Sequence, residues 1–166
     1  KIIKKLINKF GYNISRINKK FENIDLNELL SKKINYKNPS IFDVGGNTGQ
    51  SIEKFKKIFN DPIIHSFEPN KAVFDIMHSK FKEDNNVFCN NFALGNKIET
   101  RDFNITDAPG KSSFYNLNTN KDWYVNKNKR YTTFVASKQK VKVSTLDDYI
   151  NTKKVKEIDL LKMDTQ

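Results

Sequence analysis

A doubly wound α/β fold, with a parallel sheet covered by helices on both faces, is what this sequence predicts, and three observations predict it. From Ser40 onward short apolar runs alternate with amphipathic segments, the sign of successive βαβ units. The first run, Ile41 to Val44, passes through a glycine-rich turn into a segment of helical spacing. Between the later runs, apolar residues recur three and four positions apart, as on a helix buried along one side.

The elements follow in order. Ile2, Ile3, Leu6, Ile7 and Phe10 have helical spacing with Lys on the opposite face, and Gly11 supplies a stop, so a short basic helix is expected. Asp25-Leu-Asn-Glu28 fits a capping box, with Leu26, Leu29, Leu30 and Ile34 following on one face until Asn38-Pro39. Residues 1–38 thus read as a basic helical arm, and 39–166 as the N-terminal part of a larger domain. After the first strand, Ile52, Phe55, Ile58 and Phe59 mark a helix over Gln50 to Phe59, and Pro62 delays the second strand, Ile63 to Phe67. Asn70 caps a helix carrying Phe74, Met77 and Phe81, and Val87 to Phe92 reads as a third strand. The rhythm then breaks, and Asn96 to Lys140 reads as hairpins or a long loop. Lys140 to Ser144 alternates Lys and Val as an edge strand does. Thr145-Leu-Asp-Asp148 opens another helix, and Ile158 to Met163 is the fourth parallel strand, with Asp164 at its carboxyl end. No internal repeat interrupts this order.

Composition narrows the classes. Hydrophobic residues make up 37% of 166 residues and include thirteen Phe, enough for one real core. The lone Cys89 excludes a disulfide framework, and His65 and His78 have no spacing that would build a metal site with it. No apolar stretch approaches the roughly 20 residues that span a bilayer, and a cytoplasmic protein is the expectation. A net charge of +11 permits binding to polyanions. The Lys residues are scattered, however, so the expectation is no specific nucleic-acid partner. Because the chain starts at Lys1 and stops at Gln166 directly after an apolar run, it reads as a fragment at both ends.

The most informative segment is Ile41-Phe-Asp-Val-Gly-Gly-Asn-Thr-Gly-Gln50. Gly45, Gly46 and Gly49 allow a sharp turn and close approach of a ligand, and Asn47 is the non-glycine residue best suited to a left-handed conformation. The spacing is neither the G-x-G-x-x-G of dinucleotide sites nor a P-loop, since Gln50-Ser51 follows Gly49. Asp43, two residues before Gly45, sets a carboxylate where a pyrophosphate would be repelled and favours a ligand with a cationic amino-acid end. Glu68, 19 positions beyond Gly49 in Phe67-Glu-Pro-Asn70, stands where the sheet topology puts a ribose, and its carboxylate can accept both hydroxyls.

Five ordered blocks in Ser40 to Gln166 resemble the FkbM-family methyltransferases. They are the glycine-rich turn, Phe-Glu-Pro-Asn, Phe92-Ala-Leu-Gly95, Ser144-Thr-Leu-Asp-Asp148 and Ile158-Asp-Leu-Leu-Lys-Met-Asp164, and Lys9-Phe-Gly-Tyr-Asn-Ile-Ser-Arg16 is similar to an upstream segment. The resemblance implies a Rossmann-like sheet of the class I methyltransferase type, here incomplete at its C-terminal end. It implies S-adenosylmethionine as cofactor and methyl transfer to a hydroxyl oxygen of a sugar or other small metabolite. Asp43 with Gly45, Gly46, Asn47, Thr48 and Gly49 would hold the methionine end, Glu68 the ribose, and Asn91 and Phe92 the adenine. Asp164, beside the ligand crevice of such sheets, is the candidate catalytic or acceptor-positioning carboxylate, or else a structural cap of the kind carboxylates at strand ends form.

Two other readings compete. A nicotinamide-dependent oxidoreductase would also use a glycine-rich first turn, and a non-catalytic basic module would bind polyanions with strong salt dependence. Trp123, Tyr124, Tyr131 and Phe134, interleaved with Lys121, Lys127, Lys129 and Arg130, are expected to form a hairpin or lid on the core. Lys111-Ser-Ser113 is a candidate polar cluster near the site, or a turn after Pro109-Gly110. The acceptor and the oligomeric state are not legible.

Overall fold

The computed structural model describes residues 25–106, 112–115 and 135–165. The basic helix expected near the N-terminus, Pro109-Gly110, Lys111 and the aromatic segment from Trp123 to Phe134 lie outside the described residues. Helix α1 spans Leu26–Lys33, α2 Gln50–Ile58, α3 Lys71–Phe81 and α4 Leu146–Lys153. The strands are β1 (Ser40–Val44), β2 (Ile63–Phe67), β3 (Val87–Asn90), β4 (Ala93–Leu94), β5 (Glu99–Thr106), β6 (Val135–Ser144) and β7 (Leu160–Met163).

Four strands form a parallel sheet in the order β3-β2-β1-β7. The chain moves outward from β1 through β2 to β3 and then returns to the far side of β1. That reversal makes the crevice between β1 and β7 the topological switch point, the usual ligand position in open α/β sheets. Both faces are covered. Ile41, Ile52, Phe55, Ile64, Met77 and Phe81 join α2 and α3 to one face, while Phe42, Val44 and Phe67 meet Tyr149 of α4 on the other. Complete burial of Phe42 and Phe67 contributes about 1.5–3 kcal/mol each.

The caps follow local chemistry. Asn70 accepts from the Ala72 N–H at 3.2 Å and Thr145 from the Asp148 N–H at 3.1 Å, each satisfying a donor that the helix leaves open. Asp25 accepts from the Asn27 N–H at 2.9 Å, but Glu28 turns to Lys32 instead of returning to the cap. Only half of the expected capping box forms. Leu26 and Leu29 of α1 stay exposed, and Leu30 and Ile34 reach the core.

The region from Asn96 to Lys140 contributes a second sheet, ordered β4-β6-β5. The strand expected at Lys140 to Ser144 begins at Val135 and is central, not an edge: β5 pairs with it antiparallel and β4 parallel. Its Lys residues alternate outward while Val141 and Val143 are buried, the period-two pattern of a sheet with one solvated face. The third strand of the main sheet ends at Asn90, earlier than the apolar run suggested, because Ala93 and Leu94 pair with Val143 and Ser144. At the other border, β7 has no outer partner among the described residues, and Leu161 and Met163 are exposed. No helix among the described residues is long and apolar enough to cross a membrane.

Candidate cofactor site

The turn after β1 is fixed from three sides. Gly45 and Gly46 both donate their N–H to the Phe67 carbonyl at 3.0 Å, which ties the turn to the tip of β2. Gly45, Asn47 and Gly49 have φ of 86°, 49° and 92°, so the left-handed conformation expected of Asn47 is present. A Cβ on Gly45 would stand 2.3 Å from the Asp164 carbonyl oxygen, one on Gly46 2.0 Å from Ser66 Oγ, and one on Gly49 2.4 Å from Phe81. Gly49 caps α2 without a side-chain bond, and the Thr48 carbonyl accepts from Lys80 Nζ at 3.1 Å.

Asp43 is wholly buried inside β1 and lies in register with Ser66 on β2 and Lys162 on β7. Ser66 Oγ donates to Asp43 Oδ2 at 3.3 Å, and Lys162 Nζ stands 3.0 Å from Oδ1. The second contact pairs the buried carboxylate with the Lys162 ammonium, and Oδ1 has no other partner. Burial pushes the Asp43 carboxyl above its usual range, with Lys162 and Ser66 opposing and Asp164 adding to the rise. Lys162 also donates to the Gly45 carbonyl at 3.3 Å and lies 3.7 Å from Asp164 Oδ2. The repulsion of phosphate argued for Asp43 alone is therefore partly cancelled by its neighbour.

Glu68, just past β2, joins both loops. Its Oε2 accepts from the Asn47 N–H at 3.0 Å and its Oε1 from the Asn70 N–H at 2.9 Å. Each oxygen keeps a further lone pair for a ligand hydroxyl. Burial raises the Glu68 carboxyl, while the Asn70 and Asn47 N–H bonds favour its charged form.

These groups border a cavity of about 690 Å³. Its floor is Val44 to Asn47, Phe67 to Pro69, Lys162 and Asp164, and its roof comes from the second sheet through Leu94, Gly95, Arg101, Phe103 and Val143. Among the residues singled out from sequence, Gly45, Gly46, Asn47, Glu68 and Asp164 line it. Asp43 lies beneath Lys162, and Thr48 and Gly49 are not on the wall. Neither are Asn91 and Phe92. The Asn91 amide donates to the Glu68 and Pro69 carbonyls at 2.9 and 3.3 Å, and Phe92 packs on Phe67 and Tyr149; the wall next to them is Ala93, Leu94 and Gly95. Ser112 of the polar cluster lines the cavity, and Ser113 pairs with Asn104.

A parallel sheet with a cavity at its switch point, a glycine turn, a carboxylate at the end of β2 and a carboxylate after β7 is consistent with a Rossmann-like methyltransferase core. The FkbM methyltransferase domain family matches residues 43–166, from Asp43 to the last residue.

The chain belongs to the FkbM methyltransferase family.

No curated protein and no solved structure matches it. The family membership carries the enzyme class, a methyltransferase on an α/β parallel sheet, and that class implies S-adenosylmethionine as the methyl donor. Two groups at the site went unread in the sequence. A Lys inside the apolar run Leu160-Leu161-Lys162-Met163 was the signal for Lys162, since a charge in a buried parallel strand needs a carboxylate opposite. Arg101, held 4.7 Å over the Phe114 ring, gave no signal, because its position depends on long-range pairing of β5 with β6.

Proposed function

We propose that this FkbM-family chain transfers the methyl group of S-adenosylmethionine to a hydroxyl oxygen of a sugar or another small metabolite. The observation that carries the reading is the Glu68 carboxylate, aimed by the Asn47 and Asn70 N–H groups at the edge of the cavity beside the glycine turn. A bidentate acceptor fixed there suits the paired hydroxyls of a ribose. The Asp43 carboxylate, which already holds the cavity-lining Lys162 ammonium at Oδ1, suits the ammonium of an amino-acid end, and the cavity admits a ligand of nucleoside size.

The cofactor supplies an electrophilic methyl group on a sulfonium, so little acid-base machinery is needed from the protein. What this chain contributes is position and dryness. Glu68 and the turn orient the ligand, and Leu94, Phe103, Phe114 and Val143 form an apolar part of the wall that excludes water. Asp164 lines the floor of the cavity, next to the Gly45 turn, with its side chain 77% exposed. That is where an acceptor hydroxyl would arrive, and a carboxylate within reach takes the proton the oxygen must lose.

Titration calorimetry with S-adenosylhomocysteine and, separately, NADH tests the reading. Binding of the first alone is expected. Binding of NADH alone would replace the methyltransferase cofactor with a nicotinamide. With the cofactor established, isotope-labelled methyl transfer to sugar and hydroxy-metabolite panels identifies the acceptor class.

A further inference from the structure

Lys162 is the least expected group at the site, a cation in an apolar strand whose ammonium touches three oxygens. It stands 3.0 Å from Asp43 Oδ1, 3.3 Å from the Gly45 carbonyl and 3.7 Å from Asp164 Oδ2. Of these, Asp43 Oδ1 is buried and has no partner besides Lys162. A buried carboxylate without its counter-ion is costly, and Lys162 supplies that counter-ion here.

Lys162 also lines the cavity and keeps 27% of its side chain accessible. A ligand ammonium can reach Asp43 Oδ1 only where the Lys162 ammonium now lies. Displacing one cation by another leaves Lys162 in need of an anion. An α-amino acid end brings both charges together: its ammonium replaces Lys162 at Asp43, and its carboxylate receives the displaced Lys162. A ligand with an amine alone would leave Lys162 only the Asp164 carboxylate.

We infer that Lys162 is a specificity-determining residue that reads the carboxylate of the cofactor's amino-acid end, a role that rests on the cofactor reading above. The exchange also explains why a strand otherwise built of Leu and Met carries a Lys in register with Asp43.

Two probes separate the possibilities: S-adenosylhomocysteine, and its decarboxylated analogue 5′-deoxy-5′-(3-aminopropylthio)adenosine, which keeps the ammonium and lacks the carboxylate. In the unmodified chain, S-adenosylhomocysteine should bind at least roughly 10-fold more tightly, the scale of a charge-assisted pair. In Lys162→Met that preference should fall to within about 2-fold, chiefly because S-adenosylhomocysteine weakens. Lys162→Arg should retain most of it. Should Lys162→Met fail to fold, Lys162→Gln keeps a donor for the Gly45 carbonyl without the charge and gives the same readout. Equal weakening of both probes would make Lys162 merely structural, and a preference that persists without Lys162 would place carboxylate recognition elsewhere, such as the first turn of α2. Either result overturns the inference while the cofactor reading stands. Failure of the unmodified chain to bind S-adenosylhomocysteine overturns both.

Discussion

Replacing Glu68 by alanine takes an acceptor away from two backbone N–H groups at once, those of Asn47 and Asn70. The two losses are unequal. Asn70 is 3% exposed, so its N–H has little access to water, and losing a hydrogen bond to a charged acceptor costs about 1.5–3 kcal/mol. Asn47 lines the cavity, where water can replace the carboxylate, and the cost there is about 0.5–1 kcal/mol. Release of a carboxyl that burial penalises offsets part of the sum. Glu68→Ala should therefore lower stability by about 2–3 kcal/mol, and Glu68→Gln, which keeps one acceptor oxygen, by about half as much. Urea unfolding measures this, and unchanged stability in Glu68→Ala would refute the account of Glu68 as the tie between the two loops. Under conditions where the variants remain folded, the same loss of acceptors should raise the Kd for S-adenosylhomocysteine roughly 5- to 150-fold, equivalent to about 1–3 kcal/mol. An unchanged Kd would remove Glu68 from the ribose role.

Gly46→Ala should destabilise by about 1–3 kcal/mol through overpacking, because its Cβ would meet Ser66 Oγ at 2.0 Å; thermal unfolding should show partial rescue when Ser66→Gly is added, and no rescue would assign the effect elsewhere. His65 is buried between Phe42 and Phe88, with Nδ1 2.9 Å from the Tyr149 hydroxyl. Burial, aided by Lys153, lowers its pKa to about 4. The unfolded chain then binds more protons between about pH 6.5 and 4, so the His65 contribution is full above that window and falls as pH drops through it, by at most about 3 kcal/mol. Unfolding across pH should show this slope in the parent and not in His65→Phe. Asp164→Asn should lower single-turnover methyl transfer by roughly 10²-fold or more with cofactor affinity nearly intact, and an equal loss of both would move Asp164 to the cofactor side.

Much of the main sheet was legible because each element satisfies its own local chemistry. Ile63 to Phe67 is bounded by Pro62 and by Glu68-Pro69, and it forms over those residues. Asn70 both ends the loop and caps α3 as its sequence position implies. The failures lie where the outcome depended on partners far along the chain. Val87 to Phe92 reads as one strand, yet Asn90 turns its amide to the Ser66 carbonyl and the Tyr149 hydroxyl, and the next residues leave for a different sheet. Nothing in an apolar run states which sheet it joins. The second sheet was hidden for the same reason, since β5 and β6 are separated by a long stretch without periodicity. Asp159 looked like part of a functional block, but it accepts from the Ser40 N–H at 2.7 Å and from the Tyr36 hydroxyl, which ties the start of β7 to β1.

The glycines of the turn also meet a packing demand that their spacing does not show. Glycine there was expected to let a ligand approach the backbone. The missing side chains of Gly45, Gly46 and Gly49 also make room for the Asp164 carbonyl, Ser66 and Phe81, which belong to the end of β7, to β2 and to α3. Three elements thus converge on one turn at the switch point, and each glycine admits a different one. A turn gripped in this way has little freedom to adapt to a ligand. The charged groups around it are Asp43 below, Glu68 beside and Lys162 across the crevice. The positive φ of Gly45 and Gly49 adds to the packing demand, because a side chain at either position would strain the backbone as well as collide. Substitutions in the turn should accordingly act first on the packing of three elements, as a loss of stability in thermal unfolding, and only through it on binding.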